Sequence, residues 1–249
     1  MNPAFRSSTI MLQTPNTKYH AFPPVSLVDR HWPNRTITAA PIWMSTDLRD
    51  GNQALFEPMN AERRCACSRC SAPSASRKIE VAFPSASQTE FDFVRGLIEG
   101  GHIPDDVTIE VLTQAREHLI DRTFESLKGA RRPSSTSITP PASPFRDNVF
   151  GMSKAEVVAM AVDAVRSSVA LGRSACRKPK WVLEYSPELF TATELDFAKE
   201  VCDAVIEAWG ATPQRKVILN LPTTVEIATP NIYADQIEWM HRHLGAATA

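Results

Sequence analysis

The sequence predicts an α/β protein, a parallel sheet covered by helices. Three observations lead there. Short apolar, β-branched runs alternate with segments whose apolar residues recur every three or four positions. Cap and turn residues fall between them. The 249-residue chain is 43% hydrophobic and 22% charged, which is enough to bury one sizeable core.

Each element has its own warrant. Residues 1–38 are polar, are punctuated by Pro23, Pro24 and Pro33, and show no period. They are expected to form an extended leader lying on another surface. Residues 41–45 make a short apolar run suited to a first buried strand. Residues 78–83, 107–113, 181–185 and 216–221 are the further strands, with the second of these four rich in β-branched residues. Between them, Ser87 or Thr89 is placed to cap a helix over 90–99 that ends at Gly100-Gly101. Residues 116–127 and 154–169 carry helical spacing. The clearest helix is 193–209, with Ala198, Val201, Cys202, Val205 and Trp209 on one face, Thr193 as a capping candidate and Gly210 past its end. Thr229-Pro230 opens a last helix with a cap and a proline at its first position.

Charge and cysteine usage exclude several functions. Lys+Arg number 27 against 28 Asp+Glu, so no basic excess exists to neutralise a nucleic-acid backbone. No apolar run approaches the roughly 20 residues that span a bilayer, and the N-terminus lacks an apolar signal core. Five Cys point to a reducing compartment, with the cytoplasm the expected location. The sequon Asn34-Arg35-Thr36 carries no weight there.

Parallel α/β folds place chemistry at the C-terminal ends of their strands. After the first strand stands Asp47-Leu48-Arg49-Asp50-Gly51-Asn52-Gln53, an acid beside a base on a turn set by Gly51. A carboxylate there can ligate a hard divalent cation, and an arginine can grip a substrate carboxylate through two bonds. The plainer reading is a polar loop with a surface ion pair.

The run from Ser45 to Leu55 resembles the first-strand signature of the 2-isopropylmalate synthase family, metal-dependent TIM-barrel acyltransferases. Further matching motifs follow in order. They include Phe22-Pro23-Pro24, Trp32-Pro33-Asn34-Arg35-Thr36-Ile37, Phe83-Pro84-Ser85-Ala86-Ser87-Gln88-Thr89 and Ile103-Pro104-Asp105-Asp106-Val107. Later ones are Glu184-Tyr185-Ser186-Pro187-Glu188, Asn220-Leu221-Pro222-Thr223-Thr224-Val225-Glu226 and the stretch from Thr229 to Asp235.

This resemblance implies an incomplete (β/α)8 TIM barrel of about the first six βα units, following a 1–38 leader and occupying residues 39–249. It implies condensation of acetyl-CoA with 2-oxoisovalerate in leucine biosynthesis. Asp50 matches the family's carboxylate metal ligand, for Zn, Mg or Mn. Arg49 matches the arginine that steadies the oxo acid and its oxyanion. Glu184 matches an acidic residue near the reacting centre, and Thr224 a hydroxyl holding the substrate carboxylate. The family is dimeric, and its leader helps the subunits meet.

The departures from the family pattern matter as much. The family's His-Pro-His-Asn-Asp strand, a later ligand loop, the linker and the leucine-sensing domain would lie beyond Ala249. The fragment is therefore expected to be inactive as written, or else a non-catalytic remnant or a subunit-interaction protein. His241 and His243 fall two apart in a helical segment and so do not share a face. Residues 65–77 and 132–142 (RPSSTSITPPA) break the pattern where the barrel's second helix and fourth strand are due, so both elements are expected to be disrupted. Synonymous codons exist for which one common frame shift turns 65–77 into Leu-Arg-Met-Phe-Ser-Leu-Leu-Gly-Ala-Phe-Gly-Phe-Lys. The same shift turns 132–142 into Ala-Ile-Val-His-Leu-Tyr-Asn-Ala-Thr-Ser. Paired frame shifts would also explain 9 Gly, against roughly 17 expected, and 19 Pro. Residues 167–180 are a third candidate window. On this reading Cys65, Cys67 and Cys70 are not a metal cluster, Cys202 is core, and Cys176 falls in the third window.

Overall fold

Six strands lie side by side in sequence order among residues 13–71, 76–175 and 181–245, which this computed structural model describes. They are β1 (Met44–Ser45), β2 (Lys78–Ala82), β3 (Thr108–Gln114), β4 (Pro133–Thr139), β5 (Val182–Pro187) and β6 (Val217–Leu219), and every neighbouring pair is parallel. The crossovers carry α1 (Ala61–Ser71), α2 (Gln88–Glu99), α3 (Glu117–Ser126), the single turn α4 (Ser143–Phe145), α5 (Lys154–Ala175) and α6 (Leu195–Trp209). The helix α7 (Pro230–His243) follows β6. In a flat sheet β2 and β5 would stand about 14 Å apart. Lys78 Nζ on β2 nevertheless reaches Glu184 on β5 at 2.7 Å. The sheet therefore curls into an open, partial barrel, and strand alternation gives it two unlike faces.

The outer face is apolar. Ile79, Val81, Ile109 and Val111 pack with Phe93, Val94 and Leu97 of α2. Leu183 and Tyr185 pack with Val157 and Val165 of α5 and with Phe197, Ala198, Val201, Cys202, Val205 and Trp209 of α6. Fully burying each large side chain contributes roughly 1.5–3 kcal/mol. Trp181 lies edge-on between Phe124 and Trp209, at centroid distances of 5.2 and 4.8 Å. Burial pushes the Cys202 thiol up to about 12. Ser87 caps α2 by accepting from the Glu90 N–H, and Gly210 ends α6 at φ 66°. No helix among the described residues is long and apolar enough to cross a membrane.

Several expectations need correction. The run 41–45 is not a buried strand. Only Met44–Ser45 pairs, and Ile42 and Trp43 are 88% and 70% exposed, because β1 is an edge and none of the described residues covers the chain before it. Thr193 does not cap α6. Its Oγ1 donates to the Leu189 carbonyl, and Glu194 precedes the helix. Thr229 stands before α7 without a side-chain capping bond.

The two expected disruptions are not breaks in the backbone. Residues Ala61–Ser71 form α1, because Asn60 Oδ1 accepts from the Arg63 N–H at 2.9 Å and the sequence that follows is rich in helix-forming Ala, Arg and Glu. Cys65 and Cys67 pack as partly buried residues against the β2–β3 cluster. Residues 72–75 and the side chain of Cys70 lie outside what is described. Residues Pro133–Thr139 form β4, because Pro133 occupies the first strand position, where its missing N–H is tolerated. What is abnormal is the side chains. Ser134, Ser135, Thr136, Ser137 and Thr139 are all buried. Ser134 finds Glu110, Ser135 finds Trp181 and Thr139 finds Tyr185, but Thr136 Oγ1 and Ser137 Oγ have no partner. In the third window α5 continues to Ala175, while 176–180, Cys176 included, lie outside the described residues.

The leader, as far as it is described, lies on α7 of the same chain. Arg30 grips Asp235 through two bonds of 2.7 and 2.8 Å, and Trp32 Nε1 donates to the same carboxylate at 2.8 Å. The backbone N–H groups of His31 and Trp32 donate to Glu238 at 2.9 and 3.0 Å. Arg242 bonds Asp29 and Glu238, while Val25 and Leu27 are buried.

Candidate functional site

Beyond β1 the chain makes a wide helical turn over Asp47–Gly51. The N–H groups of Arg49, Asp50 and Gly51 all donate to the Thr46 carbonyl, at 3.2, 2.9 and 3.1 Å. Leu48 is fully buried and anchors the turn, and Asn52 Oδ1 ties down the returning chain through the Met59 N–H at 2.7 Å. Gly51 has no positive φ, and an added Cβ would meet nothing closer than 3.8 Å, so the turn does not depend on a glycine there. The geometry leaves Arg49 and Asp50 at the C-terminal end of the sheet.

Arg49 is shared between two carboxylates. Its Nη1 lies 2.7 Å from Asp50 Oδ1, and its Nη2 lies 2.7 Å from Glu80 Oε2. The Glu80 contact is close in charge but poorly aligned, since Glu80 Oε2 and Arg49 Nε both lack a hydrogen-bond partner. Burial pushes the Glu80 carboxyl up to about 7, and Arg49 offsets only part of that. Burial also raises Glu188, just past β5, against the lowering charge of Arg49, and Asp50 pushes it further up. Arg49, Asp50 and Glu188 are therefore close enough to feel one another.

Deeper on the inner face is a second cluster. Lys78 Nζ stands 2.5 Å from Glu110 Oε2 and 2.7 Å from Glu184 Oε2. Ser134 Oγ donates to Glu110 Oε2 at 2.8 Å, and Glu110 Oε1 has no partner. Burial pushes the Glu184 carboxyl up; Glu110 adds to the rise and Lys78 opposes it. Burial pulls the Lys78 ammonium down, yet its two carboxylate neighbours outweigh that and leave it above its ordinary value. Glu184 is thus engaged by Lys78, whereas Glu188 feels the charges of both Arg49 and Asp50.

Thr224 follows β6. Its Oγ1 accepts from the Leu189 N–H at 3.3 Å. Leu189 sits at φ 55°, which is uncommon for a residue with a Cβ, and this turn fixes Glu188. Of the residues expected from sequence, Arg49 and Asp50 are paired, Thr224 lies against the turn beside Glu188, and Glu184 lies in the inner cluster. Glu80, Glu110, Lys78 and Glu188 were missed. Charged residues at alternate positions of the β2 segment, Lys78 and Glu80, were the available signal of a polar inner face.

The donor set does not make a metal centre by itself. Asp50 offers one carboxylate, 64% exposed and already held by Arg49. Among the described residues no three His, Cys, Asp or Glu are grouped to hold an ion. His241 and His243 are exposed on α7, the latter stacked on Trp239 at 4.2 Å.

Comparison with known proteins identifies the family of the chain. The family model described as HMGL-like matches residues 40–249. The 2-isopropylmalate synthase of Ralstonia nicotianae is 59% identical over 234 residues, covering 94% of this chain and 40% of that protein. The 2-isopropylmalate synthases of Paraburkholderia phytofirmans and Pseudomonas fluorescens are each 58% identical over 236 residues, 94% of this chain and 41% and 42% of theirs. The chain thus spans about two fifths of the length of the curated relatives it matches. With six parallel strands, a partial barrel and this family match over residues 40–249, the chain belongs to the HMGL-like family.

Proposed function

We propose that this chain is the oxo-acid-holding part of a 2-isopropylmalate synthase, an acyltransferase that joins acetyl-CoA to 2-oxoisovalerate in leucine biosynthesis. The observation that carries the reading is the Arg49–Asp50 pair at the C-terminal end of β1, whose charges Glu188 feels. Arg49, standing beside the buried Leu48 and Glu80, grips the oxo-acid carboxylate or its developing oxyanion. Thr224 adds a hydroxyl to the carboxylate. Glu188, raised above the usual carboxylate range, suits proton transfer at the acyl carbon. Glu184 supports the same region from below, through Lys78. Asp50 is the residue that would contribute to binding Zn, Mg or Mn, but the described donors do not complete a coordination sphere, so no step is assigned to the metal. A cytoplasmic homodimer is the expected setting.

The same incompleteness leads to binding without turnover. Purified protein supplied with acetyl-CoA and 2-oxoisovalerate is expected to release no thiol. Calorimetry is expected to detect 2-oxoisovalerate binding, abolished by Arg49→Ala. Steady thiol release refutes the inactivity, and absent oxo-acid binding refutes the site. A second reading, a non-catalytic remnant or subunit-interaction protein, is favoured by the unpartnered hydroxyls of β4. It expects neither turnover nor binding.

A further inference from the structure

We propose that Arg64 is a positioning residue for Arg49 and Asp50, a buried guanidinium that locks the turn bearing them to the end of β2. The inference rests on the reading of Arg49 as the oxo-acid grip. Among the α1 side chains that are described, Arg64 is the buried one, at 1% exposure. A buried charge is retained only where it is paired and hydrogen-bonded. Arg64 Nη2 donates to the Leu48 carbonyl at 3.0 Å and to the Val81 carbonyl at 2.6 Å. Nη1 donates to Glu90 Oε1, and Nη2 also reaches Glu90 Oε2 at 3.2 Å. The guanidinium lies 4.0 Å from the centre of the Phe93 ring.

The two carbonyls are significant for where they stand. Leu48 directly precedes Arg49. Val81 directly follows Glu80, the carboxylate 2.7 Å from Arg49 Nη2. One side chain thus clamps the backbone on both sides of the Arg49–Glu80 contact. Glu90 orients the clamp in turn, because its Oε2 also accepts from the Phe83 N–H at 3.3 Å, at the tip of β2. The planar fork of arginine suits this divergent set of acceptors, which a single ammonium cannot match. If α1 needed only to cover the sheet, an apolar residue at 64 would serve better. The donors aimed at Leu48 and Val81 are what a positioning role requires.

The test compares wild type, Arg64→Met and Arg64→Lys. Methionine keeps the length and the contact with Phe93 but removes every donor; lysine keeps the charge and part of the bonding. Two readouts are taken on each protein: amide hydrogen exchange resolved by segment, and the Kd for 2-oxoisovalerate. In Arg64→Met, exchange across residues 47–52 is expected to rise about tenfold or more while β3 and β5 stay protected, and Kd is expected to weaken by a similar factor. Arg64→Lys is expected to recover part of both, and it carries the test alone if Arg64→Met does not fold. Unchanged exchange at 47–52, or an equal rise in β3 and β5, overturns the proposal. If wild type binds no 2-oxoisovalerate, the functional reading fails, and the exchange data still decide the role of Arg64.

Discussion

Glu80 contributes a fall in the stability of this protein as pH rises, and replacing it removes that share of the slope. Burial pushes the carboxyl up to about 7 in the folded state, against an ordinary value of 4.5. Between those limits the folded chain holds a proton that the unfolded chain releases, so stability decreases as the solution becomes more alkaline. The full difference is worth about 3 kcal/mol, of which roughly 2–3 kcal/mol falls between pH 5 and pH 8. Glu184 and Glu188 are also raised, so they contribute in the same direction and remain in the variant. Glu80→Gln keeps an oxygen for Arg49 but cannot ionise. Urea unfolding of both proteins at pH 5 and pH 8 gives four stabilities. The drop from pH 5 to pH 8 is expected to be smaller in Glu80→Gln by about 2 kcal/mol. An equal drop in both proteins would mean that Glu80 stays ionised across the range, held by Arg49, and would refute the assignment of burial as the dominant cause.

Two further outcomes are expected. Ser137→Ala removes a buried hydroxyl that has no partner, and chemical denaturation should show the variant more stable by about 1 kcal/mol; a loss of stability would reveal a bond to Ser137 Oγ. Sequencing the gene and its transcript across codons 65–77 and 132–142 should return codons whose common shifted frame spells an apolar helix and an apolar strand. Codons that spell neither would end the paired frame-shift explanation.

The sequence disclosed the outer face of the fold far better than the inner one. Residues Ala198, Val201, Cys202, Val205 and Trp209 announce their burial through a 3.6-residue period, and the structure buries all five. Ser87 and Gly210 mark ends of α2 and α6 because capping is local chemistry. The inner face is polar, and its partners come from strands far apart in the chain: Lys78 meets Glu110 and Glu184 only once the sheet has curled. No local pattern encodes that meeting. The same applies to Glu188, which lies within a recognised motif but whose neighbours, Arg49 and Asp50, arrive from β1. In α1 and β4 the opposite happened. The side-chain pattern was lost, yet tertiary context still imposes a helix and a strand, and in β4 the loss surfaces as buried hydroxyls without partners.

The clasp between Arg30 and Asp235 joins residues 205 positions apart. Closing so long a loop carries an entropic cost of about 5 kcal/mol when nothing else holds the ends near each other. The clasp therefore cannot nucleate folding; it can only snap shut once the curled sheet has delivered both ends to the same place. On the ribosome, Arg30 must wait for the 205 positions up to Asp235 to be synthesised. Its docking then marks that the sheet between the two has closed.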